Sequence, residues 1–189
     1  EALMPATILQ FIRDQLQMTP SPAQETLLAA IYGLPLPTYE TLPATWMERQ
    51  FLDALYGLPT LTAEVGPYQH FTLRTEPPEG HQDDVTIVCG RRGGKTGHIG
   101  IPIALYEALL GGHEAHLHRG ERATIPLIAQ DKEIAGETLA TLLEMVTSLP
   151  ALRAELKRET AGLVLFRSRV QIAVKACSFR ASRGLHIPV

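Results

Sequence analysis

The sequence predicts an α/β fold, a mostly parallel sheet flanked by helices, with a helical segment ahead of it. Three observations carry that prediction. Val85-Thr86-Ile87-Val88-Cys89 is a short β-branched, apolar run that stops abruptly at Gly90-Arg91-Arg92-Gly93-Gly94-Lys95-Thr96; this is the pattern of a buried strand entering a tight turn before a helix. Strand-like and helix-like periodicities then alternate through residues 97–178, as expected for a sheet covered by helices. Residues 1–66, in contrast, show helical spacings broken by prolines.

A chain of 189 residues can bury a core as one domain with a smaller appendage. The expected division is a helical N-terminal subdomain over residues 1–66 and an α/β core over 67–189. With 45% hydrophobic and 20% charged residues the composition is that of a soluble globular protein. No apolar run is long enough to span a bilayer and no basic stretch precedes an apolar one near the N-terminus, so the expectation is a soluble, intracellular chain without membrane contact. Two cysteines, Cys89 and Cys177, make no disulfide framework, which suits a reducing compartment.

The net charge of −3 conceals a gradient. Residues 1–66 carry two basic and seven acidic side chains, residues 67–150 seven and eleven, and residues 151–189 eight and two. The overall balance argues against wholesale coating by nucleic acid. The basic C-terminal part fits a local phosphate-backbone contact or a solvated basic face.

Taken in order, Ile8, Ile12 and Leu16 sit at helical spacing until Thr19-Pro20-Ser21-Pro22 ends the pattern. A second helix follows, with Ser21 as N-cap, Pro22 at the first helical position and Leu27, Leu28 and Ile31 on one face. Ala30-Ile31-Tyr32-Gly33-Leu34-Pro35 recurs as Ala54-Leu55-Tyr56-Gly57-Leu58-Pro59, two similar helix stops with glycine at C′. Residues 66–84 read as a surface connection. After Thr96, the stripe Ile99, Ile103, Tyr106, Leu110 predicts a helix, and Pro102 predicts a kink or irregular turn within it. His113, Glu114, His116 and His118 lack the i, i+4 spacing of a helical zinc site and lie between glycines, so they read as a polar loop. A strand at 124–129 precedes a long helix capped by Asp131, with Ala135, Leu139, Leu142, Val146 and Leu149 as its apolar positions. Residues 163–166 and 170–174 read as a hairpin or two adjacent strands.

The turn at 90–96 is the chemically specific feature. A glycine-rich loop between a strand and a helix presents backbone N–H groups to an anion. Gly90, Gly93 and Gly94 let the backbone approach phosphates, Lys95 supplies a point charge to the β- and γ-phosphates, and the Thr96 hydroxyl suits Mg²⁺. Gly94, Lys95 and Thr96 match the pattern G-x-x-x-x-G-K-[ST], whereas Cys89 occupies the place of its first glycine.

In this particular form, Cys-Gly-Arg-Arg-Gly-Gly-Lys-Thr, the loop resembles the ATPase motif of the terminase large subunits, the DNA-packaging motors of tailed phages, which depart from the first glycine and carry an early arginine, here Arg91. Ser21-Pro22-Ala23-Gln24 with the following helix, residues 125–136, and Ala181-Ser182-Arg183-Gly184 are similar to further segments of that family. The resemblance implies a P-loop NTPase sheet of the RecA-like (ASCE) type and ATP with Mg²⁺ as ligands. It implies an ATPase that drives double-stranded DNA into a capsid, as a homo-oligomeric ring with portal protein and small terminase subunit as partners. The location would be the cytoplasm of an infected host, at the procapsid. Lys95 and Arg91 would be the catalytic residues of this chain, Arg91 stabilising charge on the transferring phosphoryl group; Arg92 is the alternative for that role, or faces solvent. Gln24 is the favoured reader of adenine because it opens an amphipathic helix, with Gln69 of Pro67-Tyr68-Gln69 second. The basic residues Arg167, Arg169, Arg180 and Arg183 are candidates for contact with DNA or a neighbouring subunit.

The adjacent carboxylates that hold Mg²⁺ and orient water in such ATPases have no counterpart: Asp131 and Glu133 are not adjacent, and Asp83-Asp84 precede a strand. In the family that acidic strand follows the Arg-Gly segment, so the core is expected to be truncated before it and the fragment inactive in hydrolysis on its own. Another P-loop motor or helicase-like ATPase, and a nucleotide-binding fragment without hydrolysis, are the competing readings.

Overall fold

The computed structural model describes residues 6–37, 68, 69, 74–76, 78–89 and 93–178. The chain divides into two units, Glu1–Thr19 with Cys89–Val189, and Pro20–Val88.

In the first unit, Thr7 opens a helix over Ile8–Gln10 (α1) through a reciprocal capping box with Gln10, which satisfies two otherwise orphaned N–H groups. The helix continues as a π turn over Phe11–Gln15. Ile8, Phe11, Ile12 and Leu16 are buried. Phe11 meets the ring of Tyr106 edge-on at 5.8 Å, and the Tyr106 hydroxyl donates to the Ala6 carbonyl at 3.0 Å. Burial, and secondarily the charge of Glu107, raises the pKa of that phenol.

A second helical run starts at Lys95, with a π turn over Lys95–Gly100 followed by an α-helix, Ile101–Leu110 (α3, the second unit supplying α2, Pro22–Ile31). The irregular turn expected around Pro102 thus lies just before it. Pro102 has no N–H to give the His98 carbonyl, and its ring would crowd that carbonyl in a regular α-turn; widening the preceding turn relieves the conflict, with the Ile101 N–H reaching Thr96 O. The extra residue shifts the apolar register. The buried face is Ile101, Ala104, Leu105 and Ala108, and of the expected stripe Ile99, Ile103, Tyr106, Leu110 only Ile99 is fully buried.

The sheet consists of β1 (Ala123–Ala129), β2 (Leu156–Thr160), β3 (Leu163–Phe166) and β4 (Val170–Ala176), in the order β1-β4-β3-β2. Among the described residues only β1 and β4 are parallel, Ala123 to Ala129 facing Val170 to Ala176; β3 runs antiparallel to β4 and to β2. The expected mostly parallel, RecA-like sheet is therefore wrong for this chain, which has a small mixed sheet. Two physical reasons account for the error. Residues 85–88 form no strand, and Val85 and Val88 are 43% and 95% exposed: β-branched composition favours a strand only where a pleated, half-buried surface receives it. The hairpins joining β2, β3 and β4, in turn, close very short loops at little entropic cost. Their turns use left-handed backbone, Gly162 at φ +111 and Arg169 at φ +66.

Between β1 and β2 run Lys132–Ser148 (α4), N-capped by Asp131 through its Oδ1 to the Ile134 N–H at 2.9 Å, and Pro150–Glu155 (α5). Helices α3 and α4 both pack on β1 and β4. Leu105, Leu142, Val146, Leu152, Phe166 and Ile172 are fully buried there, each worth about 1.5–3 kcal/mol in apolar burial.

In the second unit, Ser21 and Gln24 form the capping box of Pro22–Ile31 (α2), with Pro22 in the first turn as expected. The helix stops as its sequence predicts. Gly33 takes φ +61, Leu34 N–H reaches Ala29 O at 2.8 Å, and Gly33 N–H points to Ala30 O, the paired bonds of a Schellman stop. A Cβ on Gly33 would lie 2.5 Å from the backbone of Gly80, so glycine is required there twice over. Tyr32 bridges His81, and the Gln82 N–H donates to Ile31 O at 2.7 Å. The second copy of the helix-stop hexapeptide, at 54–59, lies outside the described residues.

Candidate phosphate-binding helix terminus

Gly94 adopts φ +74 and delivers the chain directly into the helical run that begins at Lys95. The first intrahelical bond is His98 N–H to Gly94 O, 2.8 Å, so helical geometry leaves the amides of Lys95, Thr96 and Gly97 without intrahelical acceptors. These N–H groups sit at the positive end of a run extending to Leu110, which favours an anion. Lys95 and Thr96 are both exposed, and a Cβ on Gly97 would meet nothing within 4 Å. The arrangement can receive phosphate oxygens on backbone amides, add the Lys95 ammonium, and offer the Thr96 hydroxyl to a cation. Gly93 is exposed and Cys89 half-buried. Gly90, Arg91 and Arg92 lie outside the described residues.

The opposite end of the run is anchored. The Ser168 hydroxyl donates to Ala108 O at 2.9 Å, and the Arg169 guanidinium donates to Glu114 O and His118 O at 3.1 and 3.2 Å. His113 Nε2 lies 2.8 Å from Glu107 Oε2. His116 and His118 are exposed, and among the described residues no group of three His, Cys, Asp or Glu side chains could hold a metal ion.

The two adenine candidates differ. Gln24 Oε1 accepts the Ser21 N–H at 2.8 Å; presenting both oxygen and nitrogen to a base would break that cap. Gln69 is half-buried and follows Tyr68, which is 6% exposed. Tyr68 lines a cavity of about 340 Å³ within the second unit, with Leu27, Ala30 and Ile31 as apolar lining and Arg74, Gln82, Asp84 and Thr86 as polar lining. Sequence reasoning missed this cavity; its one signal was the aromatic residue beside Gln69.

No family model, curated protein or solved structure matches this chain.

Among the described residues, the carboxylates noted in the sequence have other employment or none. Asp131 caps α4, Asp83 lies 3.5 Å from His81, and Asp84 and Glu133 are exposed. Among the described residues there is thus a fit to phosphate and to one hydroxyl ligand of Mg²⁺, without an acidic partner for the cation. Of the basic residues expected to face DNA or a neighbour, Arg167 gives its Nε–H to Ala154 O at 2.7 Å and Arg169 holds the two carbonyls named above. Both tie the unit together. Arg180 and Arg183 lie outside the described residues.

Proposed function

We propose that the Cys89–Thr96 loop binds the phosphates of ATP with Mg²⁺, as part of a terminase-like ATPase that drives double-stranded DNA into a capsid. The observation that carries the reading is the coincidence of Gly-Lys-Thr with a helix start: left-handed Gly94, then exposed Lys95 and Thr96 at the amide-bearing end of the run. The packaging assignment rests on the form of the loop, Cys-Gly-Arg-Arg-Gly-Gly-Lys-Thr. Arg91, or Arg92, supplies the charge for the phosphoryl group in flight, and the carboxylates needed for hydrolysis come from outside the described residues.

The alternatives are another P-loop motor or helicase-like ATPase, and a module that binds nucleotide without turnover. Titration of the chain with Mg·ATP by calorimetry, beside Lys95→Ala, tests the core of the proposal. Binding lost in the variant supports it; equal binding by both proteins, or none by the parent, overturns it. A packaging motor further requires hydrolysis stimulated by duplex DNA, and a helicase would instead respond to single strands.

A further inference from the structure

We propose that the bulged edge strand β2, with Arg153, Lys157 and Arg158, is a contact surface for the phosphate backbone of double-stranded DNA. Residues 150–178 hold six basic and two acidic side chains in a chain of net charge −3, and the structure separates the basic ones by use. Arg167 and Arg169 are spent on backbone carbonyls, and Lys175 also has a partner. Arg153, Lys157 and Arg158 are exposed, and their side chains have no hydrogen-bond or ion-pair partner among the described residues.

The strand register sharpens their presentation. Leu156 pairs with Phe166 and Arg158 with Leu165, leaving Lys157 as the extra residue of a bulge. Paired residues share a face and successive residues alternate, so Arg158 faces away from both Leu156 and Glu159, the latter pairing with Val164. The bulge therefore sets a consecutive, exposed basic pair on the edge strand of the sheet as described, with the neighbouring carboxylate of Glu159 turned from Arg158. Bulges re-aim side chains and end strand pairing in this way. Exposed charges at this edge strand, whose side chains have no partner among the described residues, complement a row of phosphates. The choice of duplex DNA over another polyanion rests on the packaging reading.

The test is fluorescence anisotropy of a duplex of about 30 base pairs with the 189-residue chain across a salt series. The double variant Lys157→Ala/Arg158→Ala is expected to flatten the slope of log K against log salt by about 1.8, and Arg153→Ala by about 0.9 more. Between about 50 and 200 mM salt, the double variant then loses about tenfold less affinity than the parent. The charge-conserving Lys157→Arg/Arg158→Lys keeps the parental slope, so the proposal stays testable should the alanine variant unfold. An unchanged slope overturns the surface, as does a parent that binds no duplex, or one that binds a polyglutamate peptide through these residues instead. Mg·ATP titration of the same proteins keeps the two readings apart: nucleotide binding that depends on Lys95, with no effect at Lys157 and Arg158 on DNA, removes this inference alone.

Discussion

The two ends of the helical run from Lys95 to Leu110 are built on opposite principles. At Lys95 the backbone is left open: a left-handed glycine, amides ahead of the first intrahelical bond, and two exposed polar side chains. Near and just past Leu110 the chain is tied down: Ser168 holds the Ala108 carbonyl, Arg169 the carbonyls of Glu114 and His118, and His113 meets Glu107. Precision at the open end depends on immobility at the closed one. A ligand gains from pre-set amides only if the helix behind them is held, and here it is held by the β3–β4 turn and by Tyr106 against the N-terminal segment.

Breaking the open end gives the largest expected effect. Lys95→Ala should lower Mg·ATP affinity at least about 100-fold, or about 2.7 kcal/mol, with the urea unfolding midpoint unmoved; calorimetry and a denaturation curve read the two quantities. Breaking the closed end should do the reverse. Arg169→Ala removes two charge-assisted bonds to carbonyls and leaves a non-glycine residue at φ +66, for a loss of about 2 kcal/mol in unfolding free energy. Ser168→Ala should cost about 1 kcal/mol. In the second unit, Gln24→Ala is expected to lose about 0.5–1 kcal/mol of stability through the broken capping box, read from a urea unfolding curve.

What could be read from the sequence was what local chemistry decides. Ser21 and Asp131 as caps, Gly33 as a helix stop, the β1 strand, the long helix after it, and the β3–β4 hairpin all follow from neighbours within a few residues. β2 was missed because Leu156-Lys157-Arg158-Glu159-Thr160 has no apolar alternation; it becomes a strand because β3 provides a ladder beside it. The mixed sheet was missed for the same reason, since pairing partners are not encoded in any one run. In the site, Gly94, Lys95 and Thr96 were legible because the motif is contiguous. The duties of Arg167 and Arg169 were not: Arg169 bonds to carbonyls 51 and 55 residues away, and an arginine near other arginines gives no hint of that.

The widened turn between Lys95 and Gly100 has one more consequence. It works as a phase joint: the loop end of the helix and its core-facing body keep separate angular settings, offset by the one residue that the π turn accommodates. Selection on core packing at Ile101, Leu105 and Ala108 can then proceed without rotating Lys95 and Thr96 about the axis. Removing one residue from the turn would couple the two settings again and swing the loop through about 100° of helical angle.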